Sequence, residues 1–285
     1  MTTTVARHVV ESGNLAKAVG VLAEVLDEEL AVEPLTAWHL SSAVDTALIL
    51  ARKLGVLDPE AEELGTWNAY VRAMQASSGI FAAATADGSV ECRIGREARQ
   101  IPATGPKFYT DAGAWLDAFW LAVICRERTR LDMLSAVPVD VLRGSGAVFD
   151  EYVYAWVEAL QAYWRRTPDL TEKLLAAIDG TDPDVARVAD REVLLKLLYP
   201  PLAAFYQFLR RDQEKFDAAL LQGLELHREF WSADEERAGD PDGFVSLPLL
   251  GIACLAYDND VPVAVESGYL PKHLLRRSWF GEYQT

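Results

Sequence analysis

The run Asp111-Ala-Gly-Ala-Trp-Leu-Asp-Ala-Phe-Trp-Leu-Ala-Val-Ile-Cys-Arg-Glu-Arg-Thr-Arg-Leu-Asp-Met-Leu134 decides the fold class. Thr110 or Asp111 can cap it by accepting the first free backbone N–H groups. On a 3.6-residue period Trp115, Phe119 and Ala122 fall on one side, and Leu116, Trp120, Val123, Ile124 and Leu131 cover much of the rest. A helix that is apolar nearly all round belongs in the middle of a protein, covered by others. Arg126 and Arg130 lie one turn apart on it. A buried guanidinium must find a carboxylate or a carbonyl, so these two read as structural partners of other elements or as contacts to a partner molecule.

The covering helices are legible on both sides. Leu15, Val19, Leu22, Val25 and Leu26 form one stripe, and Leu40, Val44, Leu48 and Ala51 form a second, with Gly55 as a C-cap. Asp58-Pro59 followed by Glu60, Glu62 and Glu63 reads as the start of a third helix running to about Ala76. Further helices are expected over 148–166, 170–178, from Asp182-Pro183, and over 213–231. Pro200-Pro201 should break the run Val193–Leu209, because proline lacks the N–H and crowds the preceding turn. Residues 232–243 read as a polar loop. One stretch departs from helix. Ile80-Phe-Ala-Ala-Ala-Thr-Ala86, then Asp87-Gly88, then Ser89–Ile94 reads as a small β-hairpin near residues 80–94 with its turn at Asp-Gly. The expected fold is therefore mainly α: an irregular multi-helix bundle, with an α-solenoid-like stack as the alternative, plus that hairpin. The chain reads as a single domain over 1–285, the loop at 102–110 being the best internal boundary.

Of the 285 residues 51% are hydrophobic and 25% charged, as in ordinary globular domains, so wholesale disorder is excluded. The net charge is −16, and the acid is concentrated. Residues 1–66 carry eleven Asp and Glu against four Lys and Arg, and residues 212–266 carry thirteen against three. Such a surface repels nucleic-acid phosphates and anionic lipid and attracts basic proteins; it also serves solubility. Three cysteines, far apart and mostly in apolar runs, point to a reducing compartment rather than a disulfide framework. No apolar signal core and no membrane-length apolar stretch is visible, so the default expectation is a cytoplasmic protein.

The search for chemistry is mostly negative. No Cys-x-x-Cys, His-Glu-x-x-His or Gly-x-Ser-x-Gly occurs, and the four histidines are scattered, so no catalytic, metal or cofactor site is expected. Arg143-Gly-Ser-Gly-Ala147 lacks the strand and third glycine of a phosphate loop and reads as a turn. His227, near a helix end, reads as a partner of the negative end of the helix dipole. Asp258-Asn-Asp260 lacks the glycine of a calcium loop and reads as a turn. The abundant tryptophans sit at core spacing, with Trp231 and Trp279 near element ends.

Function comes from a likeness. Phe216-Asp-Ala-Ala-Leu220 through His227-Arg-Glu-Phe-Trp231, and Leu249-Leu-Gly-Ile-Ala-Cys-Leu-Ala-Tyr257 followed by Pro262-Val263, Val265-Glu-Ser267 and Tyr269-Leu-Pro271, about a quarter of the chain, resemble the C-terminal block of the Immunity protein 49 family of bacterial polymorphic toxin systems. The resemblance implies a helical antitoxin that binds a cognate protein toxin stoichiometrically, and it carries over no set of contact residues. A basic toxin, such as a nuclease, fits the charge. The acids expected to meet it are Glu24, Asp27, Glu28 and Glu29, or Glu60, Glu62 and Glu63, or Asp234, Glu235 and Glu236. A helical enzyme without a familiar motif and a helical scaffold or peptide-binding regulator are the competing classes. A cavity with converging ionisable groups would favour the first, and a long concave groove the second.

Overall fold

In the computed structural model, which describes residues 3–11 and 13–281, helices enclose the apolar run as its composition demands. The chain begins with strand β1 (Thr3–Val5), followed by α1 (Leu15–Ala31), α2 (Ala37–Leu57) and α3 (Leu64–Thr85). A hairpin of β2 (Ser89–Ile94) and β3 (Glu97–Pro102) follows, then α4 (Ala112–Cys125), α5 (Arg128–Ser135) and α6 (Val139–Arg143). The chain continues through α7 (Glu151–Arg165), α8 (Leu170–Gly180) and α9 (Arg191–Val193). A π-helical turn over Leu194–Leu198 leads into α10 (Tyr199–Arg210) and α11 (Gln213–Trp231). The last elements are α12 (Glu235–Gly239), a 3-10 turn over Pro241–Gly243, α13 (Leu247–Asp258), β4 (Val265–Ser267) and α14 (Lys272–Leu275). The fold is mainly α, and one contiguous core extends from Val5 to Leu275. No helix among the described residues is long and apolar enough to cross a membrane.

At the centre α4 buries Trp115, Phe119 and Trp120 completely. Trp115 donates its indole N–H to the Leu134 carbonyl at 3.0 Å. Across from it α13 comes so close that a Cβ on Gly251 would lie 2.4 Å from the Trp120 ring. The helix does not reach Leu134. It stops at Cys125 because Arg126 adopts a left-handed conformation (φ +58°), and α5 starts afresh. A non-glycine residue pays roughly 1–2 kcal/mol for that conformation. The side chain explains why it is held there. Arg126 grips Asp258 through Nε (3.1 Å) and Nη2 (3.3 Å). It also donates to the carbonyls of Ile124, Leu274 and Leu275 at 2.8, 2.5 and 2.7 Å. Arg130 has carbonyl and hydroxyl partners instead: Ser78 Oγ at 2.6 Å, Arg93 O at 2.9 Å and Gln75 O at 3.4 Å.

The hairpin is displaced from its expected place. Residues 80–85 finish α3, as alanine's helix propensity favours, and Asp87-Gly88 is the turn out of that helix. The hairpin turn is Gly95-Arg96, between the paired residues Ile94 and Glu97, with Gly95 at φ +63°. Buried Gln75 secures it: its Oε1 accepts from Gly95 N at 2.7 Å and its Nε2 donates to Gly95 O at 3.2 Å. Three further expectations are corrected. Gly55 is buried inside α2, which runs on to Leu57, and Asp58 organises the following turn by accepting from Glu62 N, Glu63 N and Thr66 Oγ1. Asp182-Pro183 opens a series of turns rather than a helix. Pro200-Pro201 does not break its helix, because the π-helical turn before it shifts the hydrogen-bond pattern, Tyr199 N donating five residues back to Leu194 O, and the prolines fill the first turn of α10, which needs no N–H.

The two ends of the chain meet. β1 pairs in parallel with β4, Thr3 facing Val265 and Val5 facing Ser267. Arg7 donates to the carbonyls of Gly55 and Gly268, and Tyr269 Oη accepts from His8 N at 2.9 Å. His227 packs edge-on against Tyr269, ring centroids 4.7 Å apart, and shares a 3.0 Å hydrogen bond with Gly243 O. It is not a partner of the helix dipole: burial pushes its pKa down to about 3, so it is neutral. The cysteines are buried thiols, and burial raises the pKa of each.

Replacing Arg126 with Ala removes the donors to three carbonyls and leaves Asp258 with only the longer contact to Arg277 at 3.7 Å. It should lower the unfolding free energy by about 3–5 kcal/mol; urea denaturation measures this, and a loss under 1 kcal/mol would show the clasp to be dispensable. For His227 the folded pKa lies below the unfolded one, so the unfolded chain takes up the extra proton. Stability from this group is complete above about pH 6.5 and drains as the pH falls toward 3, by up to about 1.4 kcal/mol per unit. His227→Gln should flatten the pH dependence of the urea midpoint over that window.

Candidate functional site

The Thr36 side chain and the His39 ring form a reciprocal cap at the start of α2, which fixes the first helical turn. Trp38 stands on that turn, on the far side from the Leu40–Leu48 stripe, and is 58% exposed. Opposite it a tight turn carries Phe108, 64% exposed, and Tyr109. Thr110 holds this turn closed: its Oγ accepts from Lys107 N at 2.9 Å and donates to Lys107 O at 2.8 Å. The three rings meet edge to face, with centroids 5.8 Å apart for Trp38 and Phe108, 6.4 Å for Trp38 and Tyr109, and 5.1 Å for Phe108 and Tyr109. An aromatic cluster left in water on rigid supports is the composition of an interface anchor.

Carboxylates gather beside it. Asp45 lies two turns beyond Trp38 on the same side of α2. Burial raises its pKa, and Glu29 and Asp242 add to this against the opposing charge of Arg52. Glu29 accepts from Ser42 Oγ at 2.6 Å, while its other oxygen is buried without a hydrogen-bond partner. Asp242, on the 3-10 turn, is paired with Arg52. Asp111 caps α4 by accepting from Ala114 N at 2.9 Å. Asp117, farther along α4, is the only charged residue in that helix. Burial pushes its pKa up to about 6, against the pull of Arg52 and with the help of Asp242, Asp111 and Asp45.

Asp117 also lines a cavity of about 460 Å³ between α4, α7 and the Arg191–Arg210 helix. Its other walls include Leu116, Trp120, Phe149, Trp156 and Leu197. A second carboxylate at the cavity, Asp150, is fully occupied: it accepts from Arg187 N (2.7 Å), Val188 N (3.0 Å) and Ala189 N (2.9 Å). Those bonds override the effect of burial and lower its pKa.

The acids singled out from sequence lie at three separate elements. Glu24, Asp27 and Glu28 are exposed on α1, Asp27 paired with Arg72 at 2.5 Å, and only Glu29 reaches the Asp45 cluster. Glu60, Glu62 and Glu63 sit on the turn after α2. Glu60, Glu62 and His273 each bring one potential ligand atom within 4.8 Å of the others, yet Lys272 Nζ already sits 3.0 Å from the Glu60 oxygen and would oppose a cation. Asp234 caps the short helix α12, where a loop was expected, with Glu235 and Glu236 exposed in its first turn. The residues missed by sequence reasoning are Trp38, Phe108, Asp45, Asp117 and Asp242. Two of them leave a trace: Trp38 falls off the apolar stripe of α2, and Asp117 is the lone charge in an apolar helix.

Asp117 costs stability. Its folded pKa exceeds the unfolded value, so the penalty is absent below about pH 4, grows as the pH rises toward 6, and is complete above that. Asp117→Asn should therefore raise the unfolding free energy at pH 7.5 by on the order of 2–3 kcal/mol, with no gain at pH 4. Urea titrations at both pH values measure the difference, and an equal effect at both would contradict the assignment.

No curated protein and no solved structure matches the chain significantly. The profile of one protein family, Immunity protein 49, matches residues 58–274, from the turn that Asp58 organises to the last helix. A match over that much of its length means that the chain belongs to the Immunity protein 49 family.

Proposed function

We propose that the chain, acting as one domain, is an immunity protein that neutralises a cognate bacterial toxin by binding it in the cytoplasm, and that it is not an enzyme. Membership of the Immunity protein 49 family carries this reading. The surface supports it. The net charge of −16 would draw in a basic toxin and raise the association rate. We assign the contact to the face formed by Trp38, Phe108 and Tyr109 with Asp45 and Asp242. The α1 acids Glu24, Asp27 and Glu28 steer the approach, and Glu60–Glu63 and Asp234–Glu236 contribute only long-range charge. The enzyme alternative finds little help in the cavity. Of the ionisable groups there besides Asp117, Asp150 is spent on backbone N–H groups and the Tyr152 phenol is held protonated by burial, its pKa pushed up to about 12.

The experiment pairs the protein with the toxin encoded beside it. Co-expression should rescue growth, and the purified proteins should form a stoichiometric complex. Trp38→Ala and Phe108→Ala should each weaken it by roughly 30-fold or more, as central aromatic anchors do. Raising the salt from 50 to 500 mM should cut the association rate about tenfold or more while changing dissociation little. Failure of rescue would sink the immunity reading; rescue with both alanine variants at full affinity would move the contact elsewhere.

A further inference from the structure

The cavity beside α4 has a composition that the immunity reading does not use. Its walls are aliphatic and aromatic, and no lysine, arginine or histidine lines it. Its charged residues are Asp117 and Asp150. Three carboxylates act on Asp117: Asp45 from α2, Asp242 from the 3-10 turn and Asp111 from its own helix. Arg52 of α2 is the cation that opposes them most, and it is tied to Asp242. Among the described residues the Asp117 carboxyl makes no hydrogen bond, whereas Asp150 makes its full complement. A half-buried carboxyl with no protein hydrogen bond still costs stability when charged, and folding alone gains nothing from keeping it ionisable there.

The cavity is also built to stay open. Asp150 gathers the backbone of Arg187–Ala189 and so holds Val188 at one edge. The π-helical turn sets Leu197 and Leu198 on the opposite wall, and such turns recur at binding sites. Val148 and Val188, 75% and 53% exposed, leave an apolar mouth. The volume of about 460 Å³ is that of a small-molecule site.

We propose that this cavity binds a compact apolar molecule carrying one protonated amine, with the apolar body against Trp120, Phe149 and Trp156 and the ammonium group paired to Asp117. The pairing supplies the hydrogen-bond donors that the protein withholds, and the apolar walls exclude the water that would weaken the ion pair. A carboxylate ligand is repelled by two acids, and an alcohol forfeits the charge. The proposal is independent of the toxin.

Calorimetric titration of the purified chain at pH 7.5 tests it with n-hexylamine, 2-phenylethylamine, n-hexanol and hexanoate as probes. The amines should bind with a dissociation constant of roughly 1 mM or tighter, n-hexanol at least about tenfold more weakly, and hexanoate not at all. Amine affinity should fall about tenfold at pH 5, where Asp117 is mostly protonated. Asp117→Asn should bind amine and alcohol alike. In the unchanged protein, the carboxyl ¹³C titration of Asp117 should shift its midpoint down by about one pH unit or more when 2-phenylethylamine is saturating. Equal binding of amine and alcohol, amine binding undiminished in Asp117→Asn, a stationary Asp117 midpoint, or no binding by any probe would each overturn the proposal.

Discussion

The guanidinium of Arg126 joins three parts of the chain that meet at one end of the bundle: the end of α4, the end of α13 and the last helix, α14. All of its nitrogen atoms are used, on one carboxylate and three carbonyls, and its side chain is only 8% exposed. The left-handed backbone at Arg126 is the condition for this, since a continuing helix would carry the side chain past Asp258. The strain of about 1–2 kcal/mol is small beside the several kcal/mol that a buried, fully bonded ion pair protects against. That comparison explains why the long apolar helix ends where it does. It also explains why the C-terminal segment is anchored in the core although α14 has only four residues.

From that fixed point the placement of the candidate site follows. With α4 pinned at its C-terminus by Arg126 and packed on α13 through the Gly251–Trp120 contact, its N-terminal half cannot shift. Asp111 and Asp117 are therefore held beside Asp45 and Asp242, which come from distant parts of the sequence. Like charges brought together in this way repel, and the raised pKa values of Asp45 and Asp117 record it alongside the partial loss of water around exposed Asp45 and the deeper setting of Asp117. Arg52 offsets part of the repulsion, and its link to Asp242 also ties α2 to the turn before α13. Folding would be better served by neutral residues here, and positions that cost stability without structural return concentrate where a protein works.

The helices of this fold were readable because amphipathic period and burial agree: Leu15 through Leu26, the buried run of α4, and Gln213–Trp231 lie where the pattern puts them. What escaped the sequence shares a physical cause. The strand assigned to Ile80–Ala86 failed because short apolar runs lack a distinguishing period, and alanine favours the helix already under way. The break at Arg126 escaped because its reason, Asp258, is more than a hundred residues away. The π-helical turn before Pro200-Pro201 escaped because local rules treat proline as a stop, although a widened preceding turn accommodates it. The candidate site was the least legible. Acid density along the chain pointed to α1, the turn after α2, and α12, yet the cluster at Asp45, Asp111, Asp117 and Asp242 is assembled from three segments, α2, α4 with its cap, and the 3-10 turn. Only tertiary structure brings them together.

In the proposed complex, charge and aromatic surface divide the work of recognition unequally. Exposed acids such as Glu24, Glu28 and Glu235 act through water and salt, where each ion pair contributes about 0–1 kcal/mol. Their sum sets how often a basic partner arrives. Trp38 and Phe108 are large, held on fixed turns and lose little conformational freedom when covered, so burial of such rings is worth several times more apiece and sets how long the partner stays. On the proposed reading, in which the surface must meet a toxin quickly and hold it, aromatic anchors inside an acidic field serve both needs. The rigid supports of this face, the Thr36 cap under Trp38 and the Thr110-closed turn under Phe108 and Tyr109, keep the rings ready without a folding step at the moment of encounter.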